Sequence, residues 1–362
     1  MTRLIYTMDK KTLFFMGISI LILVVMLYLV GLDQVISALK MAKSELIGIA
    51  IAMQVFTYYL YTLRWKILNG VANINSGIKE LLPMVLVGLA VNNITPSGRG
   101  GGEPVRAYIL AKEKNYPMEE TFATVVADRA LDTFPFVILA VLTIIGMALS
   151  FKFQMWLLVL MVVAVIAIVI ILAMIIYMSI NPAFGKRVDG WIIGLVRRFY
   201  KKNSDEFEDK IHGVISGFQD TMKMVIYNKR VLYYALPLSF VIWIFEILRV
   251  YFVFLAFGAT VNPVVIGEVF ILASLAGMIP LLPGGLGAVD GIMIVFYSAA
   301  GITASISAAA TVIERLISFW MTTIIGMMIL PHYGSSVLDK ISFSSSSDEI
   351  EESLNDDLKD DG

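Results

Sequence analysis

Four arginines stand inside otherwise apolar stretches of this chain, at Arg64, Arg129, Arg249 and Arg315. Carboxylates accompany them at Asp128, Asp132, Glu246 and Glu314. An ionisable side chain in hydrocarbon costs about 2.5–3.5 kcal/mol on insertion scales, so such groups must face one another or a polar cavity. Spacing supports pairing: Glu246 and Arg249, like Arg129 and Asp132, are three residues apart and share a helix face. Two chemistries follow. Either the charges are ion pairs that lock helices together, or they line a cavity that binds a charged substrate.

Two Gly/Pro-rich stretches accompany these charges. The first runs Thr95-Pro96-Ser97-Gly98-Arg99-Gly100-Gly101-Gly102-Glu103-Pro104, the second Pro280-Leu281-Leu282-Pro283-Gly284-Gly285-Leu286-Gly287-Ala288-Val289-Asp290-Gly291. Laying Pro96 on Pro283 also lays Gly98 on Gly285, Gly100 on Gly287 and Glu103 on Asp290. The flanks repeat as well, with Leu63-Arg64 against Leu248-Arg249 and Asp128-Arg129 against Glu314-Arg315. From Arg64 to Pro96 to Arg129 the gaps are 32 and 33 residues; from Arg249 to Pro283 to Arg315 they are 34 and 32. Glycines allow positive φ and close approach of a ligand. Successive loop amides and half-helix N-termini then form a seat for an anion. Arg99 and Arg106 add bidentate donors suited to phosphate. Tight turns and close helix packing would use the same glycines.

The elements that must position these residues lie in a membrane. The chain has 362 residues, of which 58% are hydrophobic and 16% charged, against about 25% charged in soluble domains. Its mean hydropathy is +0.82. The fold class expected is an all-α polytopic membrane protein. Six stretches reach the roughly 20 residues needed to cross the hydrocarbon: Leu13–Gly31, Glu45–Leu68, Thr133–Ser150, Met155–Ile180, Val231–Phe257 and Ser305–Leu330. Leu81–Ile94 and Val105–Ala111 are too short, as are Glu268–Leu282 and Ala288–Ala300. Each short pair brackets one Gly/Pro loop, so each reads as a re-entrant hairpin entering and leaving by one face. Irregular backbone at that depth needs protein or a wet cavity around it.

Basic residues set the orientation. Arg3, Lys10 and Lys11 precede the first span, and residues 181–230 hold ten Lys/Arg against six Asp/Glu. Both segments, and the C-terminus, are expected in the cytoplasm of a cell-membrane protein. Tracking the spans makes repeat one (45–150) and repeat two (231–330) inverted, the arrangement that in transporters surrounds a midplane site. Residues 1–332 then form one membrane domain. In the loop between repeats, Trp191, Leu195, Val196 and Phe199 share one helical face, and Phe207, Ile211, Val214, Phe218, Met222 and Val225 keep a similar period. Such helices lie in the lipid interface or pack on one another. Residues 335–362 hold nine acids and two lysines with a Ser344–Ser347 run, and 333–362 are expected to be a disordered tail.

Enzyme signatures are missing: no HExxH, no Walker lysine motif, no GxSxG in a suitable context. With zero cysteines and two histidines outside any ligand spacing, neither a metal nor another cofactor is expected. The motif set Asn92-Asn93-Ile94-Thr95-Pro96-Ser97-Gly98, Gly102-Glu103-Pro104-Val105-Arg106, Asp128-Arg129 with Asp132, Leu282-Pro283-Gly284-Gly285-Leu286-Gly287 and Glu314-Arg315 resembles the flippase-like membrane domain family. That family includes the N-terminal membrane half of lysylphosphatidylglycerol synthases (multiple peptide resistance factors) and many stand-alone bacterial and archaeal proteins. The resemblance spans about residues 10–332. It implies family-type positions at Arg64, Glu103, Arg106, Asp128, Arg129, Pro283, Gly284, Gly285 and Arg315. With the charged residues above, and Arg99 and Asp290 in the loops, these are the expected substrate-binding residues. The substrate implied is an anionic or aminoacylated phospholipid, or a polyprenyl-linked sugar, moved between leaflets. The soluble aminoacyl-transferase domain of the fused synthases has no counterpart here, so no enzyme activity is expected. Two further readings stay open: a scaffold for a lipid-modifying or glycosyltransferase partner, and an ion-coupled carrier of an organic anion. A homo-oligomer is compatible with all three, and no nucleic-acid partner is expected.

Overall fold

The computed structural model describes residues 32–95, 100–150, 155–181, 204–278 and 285–333, with a few positions between 183 and 191. The regular structure of the described residues is all helix, in the order α1 (Leu32–Met41), α2 (Ser44–Val71), α3 (Ile78–Ile94), α4 (Gly102–Lys114), α5 (Met118–Ser150), α6 (Met155–Ile180), α7 (Ser204–Tyr227), α8 (Val231–Ala256), α9 (Pro263–Gly277), α10 (Ala288–Ala299) and α11 (Ala304–Tyr333). Five of them, α2, α5, α6, α8 and α11, are long and apolar enough to cross a membrane. The chain is an all-α polytopic membrane protein. The span expected at Leu13–Gly31 lies outside the described residues, as do the loop centres 96–99 and 279–284 and the tail from residue 334.

Two boundaries differ from the sequence reading, for physical reasons. The span expected at Thr133–Ser150 begins at Met118, because the charges at Asp128, Arg129 and Asp132 all find partners and need not interrupt the helix. The arm expected at Glu268–Leu282 begins at Pro263. Asn262 accepts a hydrogen bond from the Val264 amide at 2.9 Å, and proline fits the first helical turn. Glu268 is therefore mid-helix rather than a start.

Both broken segments are hairpins whose arms share one open end. In hairpin one, Lys114 Nζ at the end of α4 lies 2.5 Å from Glu80 Oε1 at the start of α3, and the Asn75 amide donates to Tyr116 Oη at 3.0 Å. In hairpin two, Tyr297 Oη near the end of α10 donates to the Ile266 carbonyl in the first turn of α9, at 3.2 Å. The hairpins open at opposite ends of the bundle. α2 and α8 run antiparallel, since the Lys43 amide donates to the Ala256 carbonyl at 2.9 Å, whereas Arg64 reaches Ser239. Hairpin one follows the end of α2, and hairpin two follows the end of α8.

Packing obeys the same exchange of halves. α2 packs on α8 across the centre. α3 pairs with α4 as α9 pairs with α10, and α4 packs on α5 as α10 packs on α11. Each first arm also lies against the long helix of the other half: α3 on α11, and α9 on α5. Glycines permit both crossings. A Cβ on Gly326 would come within 2.3 Å of the Leu86 carbonyl oxygen, and one on Gly146 within 2.0 Å of Glu268 Oε1. These contacts build an inverted repeat, with every element of one half answered in the other.

α6 carries no ionisable side chain but Tyr177 and exposes Val163, Ile170, Ile171 and Met174, a surface suited to lipid rather than water. α7 extends through the expected Phe207–Val225 period. Met222 and Val225 are buried beside Ala123 and Ala127 of α5, and the Phe218 ring lies tilted against Phe122 with centroids 6.2 Å apart. Its C-terminal half therefore packs on the bundle. The period expected from Trp191 to Phe199 lies almost wholly outside the described residues.

Candidate functional site

The ion pairs inside the bundle also come in matched sets. Arg64 on α2 contacts Asp128 on α5 with Nε to Oδ1 at 2.7 Å; Arg249 on α8 contacts Glu314 on α11 at 2.8 Å. Glu103 at the start of α4 faces Arg129 on α5; Asp290 at the start of α10 faces Arg315 on α11. These are the pairs that the repeat alignment superposes. Adjacent residues in Asp128-Arg129 and Glu314-Arg315 point to different partners, since neighbours on a helix lie about 100° apart. The acid of each couple locks the central helix of its own half, and the arginine turns to the hairpin.

Arg64 is the better buried hub of repeat one. It also donates to Asp132 Oδ1 at 2.9 Å and to Ser239 Oγ at 3.0 Å on α8. Arg106 completes Asp128 at 2.8 Å while lying over the Trp65 ring, 4.9 Å from its centroid. In repeat two, Arg249 bonds Glu246 one turn away and Gln54 on α2. The cross-half pair is symmetric: Ser239 lies ten residues before Arg249, and Gln54 ten before Arg64. Each central arginine thus reaches the polar residue ten positions ahead of its twin. Gln54 and Ser239 were absent from the expected site, and aligning the repeats outward from the arginines would have shown them. Asn92 is likewise added, its Nδ2 donating to Glu103 Oε1 at 3.2 Å and its Oδ1 accepting from the Gly102 amide at 2.6 Å.

The twin hairpin pairs are not in the same state. Arg129 is held loosely, 3.8 Å from Glu103 and 3.7 Å from Asp132, and its side chain is 37% exposed. Arg315 is 2.9 Å from Asp290 and only 8% exposed. It also lies over the Phe319 ring at 4.7 Å. Asp290 accepts from the Gly287 amide at 2.7 Å, closing the base of α10.

A cavity of about 140 Å³ lies between the halves, lined from both by Tyr61, Arg129, Asp132, Glu246, Arg249 and Arg315 among others. A second space of about 50 Å³ opens behind it, between Arg64, Gly88, Glu103, Arg106 and Asp128. Tyr61, Leu89, Asn92, Arg129 and Asp132 line both, so Arg129 stands at their junction. Glu103 Oε2 is buried and has no hydrogen-bond partner among the described residues, and the same is true of Arg249 Nε. The junction thus combines an accessible guanidinium with a spare acceptor.

Of the expected site residues, Arg64, Glu103, Arg106, Asp128, Arg129, Asp132, Glu246, Arg249, Asp290, Glu314 and Arg315 all take part in these pairs. Arg99, Pro283 and Gly284 lie outside the described residues. Gly285 is seated in hairpin two with φ +67°, and a Cβ there would come 2.8 Å from Gly277 Cα. Its role in the structure is the turn and the close approach. No group of three or more His, Cys, Asp or Glu among the described residues could hold a metal ion.

Residues 14–326 match the family described as the lysylphosphatidylglycerol synthase TM region. A UPF0104 membrane protein of Methanothermobacter thermautotrophicus is 50% identical over 334 residues, 92% of this chain and 99% of that protein. Another, from Methanocaldococcus jannaschii, is 32% identical across 89% of this chain and 94% of its own. The glycosyltransferase AglD of Haloferax volcanii is 24% identical over 86% of this chain, which spans only 52% of that longer protein.

Proposed function

Because the chain belongs to the family of the lysylphosphatidylglycerol synthase TM region, we propose that it carries a lipid with a charged headgroup across the bilayer. The observation that carries this reading is the loose Glu103–Arg129 pair at the junction of two cavities, set against its tight twin Asp290–Arg315. Inverted repeats give alternating access when their two halves exchange conformations around a shared site. In the present state the repeat-one gate is loose and the repeat-two gate is shut. Exchange of the two would close Glu103 on Arg129 and open Asp290 from Arg315, turning the same cavity to the other face.

The headgroup phosphate would displace Glu103 and Asp132 from Arg129, whose planar fork matches two phosphate oxygens. Glu103 Oε2 then offers an acceptor to an amino group on the same headgroup. This favours an aminoacylated or amine-bearing phospholipid over a simple anion. The central sets Arg64–Asp128 and Arg249–Glu314 stay paired, holding α2 and α8 as the fixed frame.

The test is leaflet exchange in proteoliposomes carrying headgroup-labelled lipid. Arg129→Ala and Arg315→Ala should each slow exchange at least about tenfold, the loss of one charge-assisted hydrogen-bond pair, while the protein stays folded. Undiminished exchange in both variants would overturn the role of the gates. A second reading rests on the glycosyltransferase relative, in which a similar membrane region makes up about half the chain. It makes this protein a membrane scaffold for such an enzyme, and predicts that a transferase co-purifies with the chain and is lost on deleting residues 187–230.

A further inference from the structure

A second polar–apolar site lies away from the central cavity. It is a groove of about 270 Å³ between the last turns of α2 and the π-helical first turn of α8. Its floor is the stripe Leu63, Ile67 and Val71, spaced four residues apart along one face of α2. Lys66 projects from the α2 wall and Arg230 from the opposite wall, each exposed. Lys66 stands two positions beyond Arg64, about 200° around the helix, so the groove faces away from the buried hub. Among the described residues, the ion pairs involve neither cation. Gly70 lies in the groove, and a Cβ built there meets nothing within 4 Å.

The level of the groove in the bilayer follows from its neighbours. Both flanking helices are membrane spans, and the groove lies at one end of each. Tyr234 lines it and is exposed, and Tyr227 and Tyr233, close by in sequence, are exposed too, as aromatic side chains are at the headgroup level. An apolar floor at a span end, with two exposed cations at its rim, is complementary to one class of molecule.

We propose that this groove holds an anionic, phosphate-bearing membrane lipid, with its phosphate between Lys66 and Arg230 and a hydrocarbon chain along Leu63, Ile67 and Val71. The lipid joins the end of α2 to the start of α8, the pair that frames the central cavity, without entering that cavity. The site stands whether or not the central cavity transports anything.

Native mass spectrometry of the full chain in detergent, with phosphatidylglycerol added against phosphatidylcholine, tests the assignment. The wild type should retain phosphatidylglycerol preferentially. Lys66→Ala with Arg230→Ala should weaken retention roughly 25-fold, each charge near an anionic headgroup contributing about fivefold. Gly70→Leu, which fills the groove and keeps both charges, should also lose the lipid, whereas Lys66→Arg with Arg230→Lys should keep it. All substitutions are at exposed positions, and thermal unfolding checks that the variants fold. Equal retention of the two lipids, or retention unchanged in the Ala pair and Gly70→Leu, overturns the proposal. So does retention lost with Arg129→Ala but kept in the groove variants, which would place the lipid in the central cavity. If the chain binds lipid there only after residues 335–362 are deleted, the acidic tail is the occupant and the proposal also falls.

Discussion

At the scale of single residues, the arginines divide by burial into two kinds. Arg64 is 1% exposed and bound by Asp128, Asp132 and Ser239, so its removal leaves Asp128 to Arg106 alone and Asp132 to the more distant Arg129. Arg64→Ala should cost about 3–5 kcal/mol, the usual penalty for breaking a buried pair from one side. Arg129, more than a third exposed and held at 3.7–3.8 Å, should cost under about 1 kcal/mol when replaced by Ala. Unfolding in detergent or by steric trapping reads both. Equal losses would mean that Arg129 is structural and that the division is wrong. The charged residues themselves were legible, because an ionisable side chain in an apolar run must find a partner or a polar cavity at that depth, whether it locks helices or binds a substrate. Their partners Gln54 and Ser239 were not. A lone Gln or Ser in an apolar helix has no period of its own, and only the ten-residue offset from each arginine marks it. Nor does sequence show that Arg129 and Arg315, equivalent by alignment, sit in different states, since that asymmetry belongs to a conformation and not to a pattern.

At the scale of elements, the hairpins stand on glycines and on ties at their open ends. A Cβ on Gly102 would lie 1.8 Å from the Gly88 carbonyl oxygen, where the arms of hairpin one cross backbone to backbone. Gly102→Ala should therefore destabilise by about 1–3 kcal/mol, as overpacking does. Gly70→Ala meets open space on α2 and should be neutral or stabilise by up to about 1 kcal/mol through helix propensity. Parallel unfolding of the two variants checks the contrast. The Glu80–Lys114 tie gives a pH signature. The Lys114 ammonium that donates to it, with the Gly77 amide, holds the Glu80 carboxyl below its ordinary range. A lowered folded value means the tie is fully present above the ordinary carboxylate range and is lost as pH falls through the lowered value. Glu80→Gln should flatten the acid limb of stability, by a few tenths of a kcal/mol because the pair is solvent-exposed. The hairpins were legible because apolar runs of such length cannot span a bilayer. The starts of α5 and α9 were less so: charges in Asp128-Arg129 interrupt an apolar run until their partners are known, and the Asn262-Pro263 cap that starts α9 lies outside the expected arm.

At the scale of the whole molecule, the inverted repeat is carried by contacts and not by loop charge alone. The chain contains no cysteine, so single cysteines report cleanly. Lys79→Cys at the open end of hairpin one and Thr260→Cys near that of hairpin two should react with an impermeant maleimide from opposite sides of oriented vesicles. Labelling from the same side would end the inverted geometry. On the proposed function, the two hairpins move as gates around one cavity that passes a lipid headgroup. Asn93 Nδ2 on α3 donates to Thr323 Oγ1 on α11 at 2.9 Å, a contact between hairpin one and the long helix of the other half. Bridging Asn93→Cys to Thr323→Cys with a short, reducible thiosulfonate linker should pin that gate. The decisive measurement is leaflet exchange of headgroup-labelled, amine-bearing phospholipid in proteoliposomes of this variant, before and after reduction. Exchange that stops when the bridge forms and returns when it is cleaved is the predicted result; exchange that ignores the bridge, or is absent from the unbridged protein, would contradict it.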